Sequence, residues 1–233
     1  MEALTRTKHA YKQLIAASDE LVKSQFVEMF GDPLLNPNGL HKKPLANVAN
    51  IMSGITKGRK AKATTLRSVP YICTANVQDG YIDWSETKYI EATEDEIHQY
   101  ALAEDDILMI EGGDPDKVGR GHLAGKVPND CIYQNHVFRV KMDQTEVLPE
   151  FMAAYITLPR TKEYFLACAK QTTGIATINK RQLSELQVMY PDLSGQMQYI
   201  EFVRQADKSK FAAQQALADL TATQKALMRQ YLG

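Results

Sequence analysis

Residues 196–232 read QMQYIEFVRQADKSKFAAQQALADLTATQKALMRQYL, with no glycine or proline. Alanine, the strongest intrinsic helix former, stands at Ala212, Ala213, Ala216, Ala218, Ala222 and Ala226. Ala213, Leu217, Leu220, Gln224, Leu227 and Tyr231 recur at 4-3-4-3-4 spacing, the seam of a coiled coil with one polar position. Asp192-Leu193-Ser194-Gly195 supplies N-cap chemistry just ahead. The spacing predicts one helix about 50 Å long at 1.5 Å per residue. A small domain cannot cover that length, so the helix requires a partner helix from its own chain or from another.

The first 30 residues offer one. Tyr11, Ile15, Ser18, Val22, Phe26 and Met29 fall on a single stripe, widened by Leu14, Leu21 and Phe30, before Gly31-Asp32-Pro33 ends the helix. Val22 and Phe26, with Leu217, Leu220, Gln224, Leu227 and Tyr231, are the candidate positions for helix pairing within the chain or between two copies.

Residues 40–190 have another character. Short β-prone runs occur at 69–74, 81–84, 88–90, 106–110, 119–123 and 131–140, with turn residues at 75–80 and glycines at 112–113. Residues 151–158 and 162–170 read as short helices. The runs lie too close together for alternating strand–helix units, so the expected fold is α+β, with one mixed or antiparallel, strongly bent sheet. The expected organisation is a helix at 1–32, a domain at 33–191 and a long helix at 192–233.

The 233 residues are 44% apolar and 24% charged, ordinary for a soluble globular chain. There is no signal-peptide core and no apolar run long enough to cross a bilayer, so a cytoplasmic location is the expectation. Cys73, Cys131 and Cys168 are odd in number, widely spaced and outside any zinc pattern, which predicts free thiols. The net charge of −1 hides an asymmetry. Residues 33–78 contain no acid but hold Lys42, Lys43, Lys57, Arg59, Lys60, Lys62 and Arg67, whereas residues 91–116 contain ten acids and no Lys or Arg. The basic segment suits phosphates; a solvated mixed face is the plain alternative.

No catalytic set emerges. Gly54-Ile55-Thr56-Lys57-Gly58 lacks the ending of a phosphate-binding loop, no dinucleotide fingerprint is present, and the five histidines do not pair at metal spacing. What the middle segment does carry is polar loops suited to base edges and phosphates. The candidate positions are Thr56, Lys57, Arg59, Lys60 and Lys62 in the first loop, Arg120, Asn135 and His136, and Thr173, Asn179 and Lys180 in a late loop. The sequence does not assign base and phosphate contacts among them; Arg59 and Asn135 are the positions to test for base reading, and Lys60 and Lys62 those to test for phosphate contact. His136, within an apolar run, reads first as a core or edge histidine.

The order of these pieces resembles the target-recognition domain of type I restriction–modification specificity (S) subunits. The resemblance rests on Gly54-Ile55-Thr56, Pro70-Tyr71-Ile72 with Asn76-Val77 and Gly80, Asp105-Asp106-Ile107-Leu108 with Gly112-Gly113, Gln134-Asn135-His136, residues 174–178, and Pro191 with Gln198 and Ile200 ahead of a long helix. It adds Asn76 to the candidate DNA contacts. A full S subunit resembles two such domains in tandem, and this chain has one, so it looks like a natural half subunit, a fragment or an orphan relative. The resemblance implies a non-catalytic reader of half of a bipartite site in double-stranded DNA. It also implies pairing with a second copy and docking of methyltransferase (M) and restriction (R) subunits, with S-adenosylmethionine, ATP and Mg²⁺ belonging to those partners. Two alternatives remain at this point: a coiled-coil assembly module without a DNA role, and a cryptic nuclease.

Overall fold

The computed structural model describes residues 2–59, 65–172 and 174–232, and all of their side chains except those of 2, 3, 227 and 229–232. In chain order the elements are α1 (Glu2–Phe30), β1 (His41–Pro44), a 3-10 turn (Leu45–Asn47), β2 (Ala49–Ser53), β3 (Arg67–Ile72), β4 (Lys88–Ala92) and α2 (Glu94–Tyr100). Then come β5 (Ile107–Ile110), β6 (Gly112–Gly113), β7 (Gly121–Leu123), β8 (Ile132–Tyr133), β9 (Val137–Met142), α3 (Pro149–Tyr155) and α4 (Pro159–Cys168). The last are β10 (Lys170–Thr172), β11 (Ile175–Thr177), α5 (Lys180–Ser184), β12 (Gln187–Tyr190) and α6 (Leu193–Leu232). They group into two compact units: Met1–Asp32 with Met197–Gly233, and Pro33–Gln196.

The helical unit is an antiparallel pair. Lys8 Nζ donates to Gln224 Oε1 at 2.8 Å, Lys210 Nζ reaches Asp19 Oδ1 at 2.5 Å, and Tyr199 OH donates to Val22 O at 3.1 Å. Phe26, Phe30 and Tyr199 meet edge to face with ring centroids 5.2–5.7 Å apart, in the geometry that aromatic quadrupoles favour. On α6, Ala213 is buried and Leu217, Leu220 and Gln224 are half-buried. The partner that the α6 seam requires is therefore supplied by α1 of the same chain, and the polar seam residue Gln224 is bonded across that pair. Leu14 and Leu21, expected to widen the α1 stripe, are exposed instead. The side chains of Leu227 and Tyr231 lie outside the described residues. Gly31, at φ 83°, ends α1 by donating its N–H to Val27 O, the left-handed C-terminal cap that glycine adopts without strain.

Among its described residues the domain has four small sheets with strand orders β1-β12, β10-β11-β6, β2-β9-β5-β7 and β4-β3-β8. Among the described strands all pairings are antiparallel except β3–β8, and the isolated Ile55–Gln134 bridge is parallel as well. The α+β class with mixed strand pairing is as expected, but the strands divide among separate small sheets instead of forming the one bent sheet expected. One core gathers Ile72, Val77, Leu108, Ile110, Tyr133 and Val137 against Trp84, and a second gathers Ile55, Val69, Tyr71, Ile97 and Ile132. The β1–β12 pair, with His41 opposite Tyr190, closes the domain across its whole sequence length. No described helix is long and apolar enough to cross a membrane.

Several local expectations are corrected. Residues 131–140 are two strands: Val137 N donates to Gln134 O, which closes a turn at Asn135–His136, and His136 is exposed rather than set in an apolar strand. Residues 81–84 form no strand, because Asn76 and Asp83 organise a loop there with one isolated Val77–Ile82 bridge. The later of the two short helices ends at Cys168, and residues 170–172 pair with β11 instead of extending it. Cys73, Cys131 and Cys168 are free thiols.

Candidate nucleic-acid interface

Backbone hydrogen bonds draw distant loops to one edge of the domain. Ile55 N donates to Tyr133 O at 2.8 Å, and Asn135 N donates to Ile55 O at 3.0 Å. This sets Thr56 and Lys57 beside the Asn135–His136 turn. Glu111 N donates to His136 O at 3.0 Å, and Ile178 N donates to Glu111 O at 2.8 Å, which brings in Asn179 and Lys180. Ile110 N donates to Arg120 O at 3.0 Å, so Arg120 flanks the same point. Glu111 is the junction of three segments.

Two glycines permit this closeness. A Cβ at Gly54 would lie 2.0 Å from Tyr133 O, and one at Gly112 would lie 2.5 Å from Thr177 Cγ2 and 2.7 Å from Ala176 O. Both approaches are far inside van der Waals range and largely involve backbone, so neither can be relieved by a rotamer change.

The side chains at this edge differ in availability. Thr56, Lys57 and Lys180 are exposed and Asn135 is half-buried, and none of their side chains bonds to another described residue. Arg120 is half-buried, and its Nε has no partner among the described residues. His136 is 56% exposed and holds Glu111 Oε2 at 2.6 Å through Nδ1. Lys60, Lys62 and Thr173 lie outside the described residues.

Three candidates are occupied inside the domain. Asn76 is buried. Its amide donates to Asp83 O and Glu86 O and its Oδ1 accepts from Cys73 N, so it is spent on fixing the 73–86 loop. Asn179 is the N-cap of α5, accepting from Gln182 N in a capping box. Arg59 grips Glu96 in a two-toothed ion pair, Nε to Oε1 at 2.6 Å and a terminal nitrogen to Oε2 at 2.5 Å, and it also donates to Glu91 O.

Arg59 shows where the basic segment goes. Arg67 pairs with Glu94 and Asp130, and Lys43 with Glu146. Glu94 and Glu96 belong to the acidic segment, so Arg59 and Arg67 of the basic segment are spent on carboxylates of the acidic one. Among the described cations of 33–78, Lys57 remains uncommitted, whereas Lys42 donates to Leu34 O. Glu111 is the residue of this edge that sequence reasoning missed. The available signal was its place as the first polar residue after the buried β5 strand.

Arg59→Ala is therefore expected to act on stability. Loss of a charge-assisted, mostly buried pair costs about 1–3 kcal/mol, with base preference unchanged. Arg59 holds the Glu96 carboxyl below the usual glutamate range, against the opposing effect of burial. A depressed folded value stabilises above the unfolded one. The contribution is thus complete above the ordinary value of about 4.3 and is lost as pH falls through the lower folded value. Urea unfolding at neutral pH and again below that window checks this; equal wild-type and variant stability at neutral pH would contradict it.

The fold and this edge define a class: a small mixed-sheet domain that presents polar loops at one edge, coupled in sequence to a pair of long terminal helices. Solved structures share that architecture. They include the HsdS subunit from Thermoanaerobacter tengcongensis, with TM-score 0.62 and 16% identity over 99% of this chain and 54% of that one. The S subunit of a type I restriction–modification system from M. genitalium gives TM-score 0.56 and 15% identity over 97% and 55%. The chain belongs to the type I restriction modification DNA specificity domain family, whose profile matches residues 37–220. The EcoKI specificity subunit of Escherichia coli K12 is 23% identical over 171 residues, which cover 70% of this chain and 37% of that relative. The chain thus spans about half the length of these solved relatives, and the match covers a little over a third of the curated one.

Proposed function

We propose that this chain is a sequence-reading half of a type I specificity subunit, that it binds double-stranded DNA with the edge around Glu111, and that it performs no chemistry itself. The observation that carries this reading is the convergence of polar side chains (Thr56, Lys57, Arg120, Asn135 and Lys180) from four segments onto that edge, in a chain of the DNA specificity family. In this reading the chain takes half of a bipartite site and docks methyltransferase and restriction subunits, which carry S-adenosylmethionine, ATP and Mg²⁺. Duplex binding across a salt series tests it. The combined Lys57→Ala, Lys60→Ala and Lys62→Ala variant is expected to weaken binding on all sequences alike. The salt slope should shrink by about 0.9 for each phosphate that is no longer neutralised. No salt-dependent retention by the wild-type chain would favour a protein-interaction module instead.

A second copy is part of the proposal. The support is the exposed Leu14, Leu21 and Phe211 on the helical pair, apolar surface beyond the intrachain seam. Sedimentation at micromolar concentration should show a dimer that Leu21→Asp with Phe211→Asp dissociates, because the pair would place charges in an apolar contact. A monomer at all concentrations, with and without DNA, would remove this element.

A further inference from the structure

The junction residue Glu111 touches His136 twice. Its backbone N–H donates to His136 O, and its carboxylate lies 2.6 Å from His136 Nδ1. Its own carbonyl accepts from Ile178 N, so the backbone at Glu111 is held on both sides while its side chain reaches the ring. His136 sits on the Asn135–His136 turn, and more than half of its side chain is open to solvent.

An ionised carboxylate can only accept hydrogen bonds. Nδ1 must therefore carry the hydrogen in this contact, and in the neutral ring Nε2 is left as a bare acceptor. Nε2 is the remaining polar atom of the ring and has no partner among the described residues. A histidine free of such a contact presents either nitrogen as donor or acceptor, so it tells base edges apart poorly. Fixing one tautomer makes the exposed atom a reader of one sign.

We infer that Glu111 is a positioning residue that locks His136 with Nε2 as an acceptor, and that His136 so locked reads the exocyclic amino group of cytosine or adenine in the major groove. Those amino groups are the donors that the groove offers, whereas guanine O6 and N7 and thymine O4 are acceptors that a bare Nε2 rejects. The inference rests on the DNA-reading function proposed above and assigns within it a base class that neither the family match nor the loop composition supplies.

The test has two independent arms, both on the full chain at mildly alkaline pH. Nitrogen-15 NMR of the histidine rings, with His136→Asn identifying the signal by its loss, reports the tautomer without DNA. The wild-type ring is expected as the Nδ1–H form, and Glu111→Met, which removes the acceptor but keeps the backbone bonds and the approximate volume, is expected to release it to the Nε2–H form. An Nε2–H ring in the wild type overturns the inference outright. The second arm is selection from randomised duplex DNA. Wild type should enrich a site with C or A at one position on one strand. His136→Ala and Glu111→Met should each lose that preference by about tenfold, the value of one good hydrogen bond, while preferences at the other positions persist. Retained preference at every position in both variants overturns the reading role and leaves the DNA function standing. No enriched sequence with the wild-type chain overturns the DNA function, and this inference with it, whatever the tautomer.

Discussion

Gly54→Ala is expected to destabilise the domain by about 3 kcal/mol and to abolish sequence-dependent DNA binding. The added methyl would sit 2.0 Å from Tyr133 O and 2.6 Å from Tyr133 C and Cδ2. Tyr133 O is at the same time the acceptor for Ile55 N, one residue along the chain. The clash cannot be met by turning a side chain, so the backbone must separate, and that breaks the Ile55–Gln134 bridge. Overpacking of a tight interior typically costs about 1–3 kcal/mol, and here the loss of a buried hydrogen bond adds to it. The loop carrying Thr56 and Lys57 then loses its register against Asn135 and His136, which is why function falls with stability. Gly58→Ala is the control. Gly58 has φ 76°, and a methyl group added there would meet nothing within 4 Å, so the cost is about 1–2 kcal/mol of backbone conformation alone. Urea unfolding followed by the single tryptophan, Trp84, which is anchored in the domain by its bond to Ala124 O, reports both variants. A Gly54→Ala loss no larger than that of Gly58→Ala would mean that the close approach to Tyr133 does not constrain the fold.

Phe26→Ala is expected to cost the helical unit about 3–5 kcal/mol, the usual range for emptying a fully buried aromatic site. Phe26 is completely buried and packs edge to face against both Phe30 and Tyr199, and Tyr199 in turn hydrogen-bonds Val22 O. Alanine would leave a cavity between two rings and remove the packing that joins the C-terminal end of α1 to the early part of α6. Amide exchange in α1 and in the facing part of α6 should accelerate about a hundredfold or more, since local opening free energy sets the protection. Unchanged protection would show that the aromatic cluster is not what holds the two helices together. By contrast, Leu14→Ala, at an exposed site, should leave exchange within a few-fold of wild type.

The sequence by itself determined the two long helices, the free cysteines, the α+β class and the set of loops from which the candidate interface is drawn. These depend on signals within a few residues: the heptad-like spacing of Ala213 to Gln224, the stop at Gly31, the cap at Asp192 and the β-prone run at 107–110. The turn inside 131–140 escaped because Gln134-Asn135-His136 is flanked on both sides by apolar residues, and nothing local tells a continuous strand from two strands meeting at a turn. The tertiary structure alone decided which polar residues are available. Arg59 has the chemistry of a base reader, yet it meets Glu96, 37 positions away. Asn76 has that of a DNA contact, yet it is consumed by its own loop, and Glu111 gained its place only when Ile178 and His136 closed on it. Charge composition is a sum over residues, whereas charge available to a partner is what remains after neighbours distant in sequence have paired. That pairing is set by strand register and by the close approaches at Gly54 and Gly112, which no window of sequence contains.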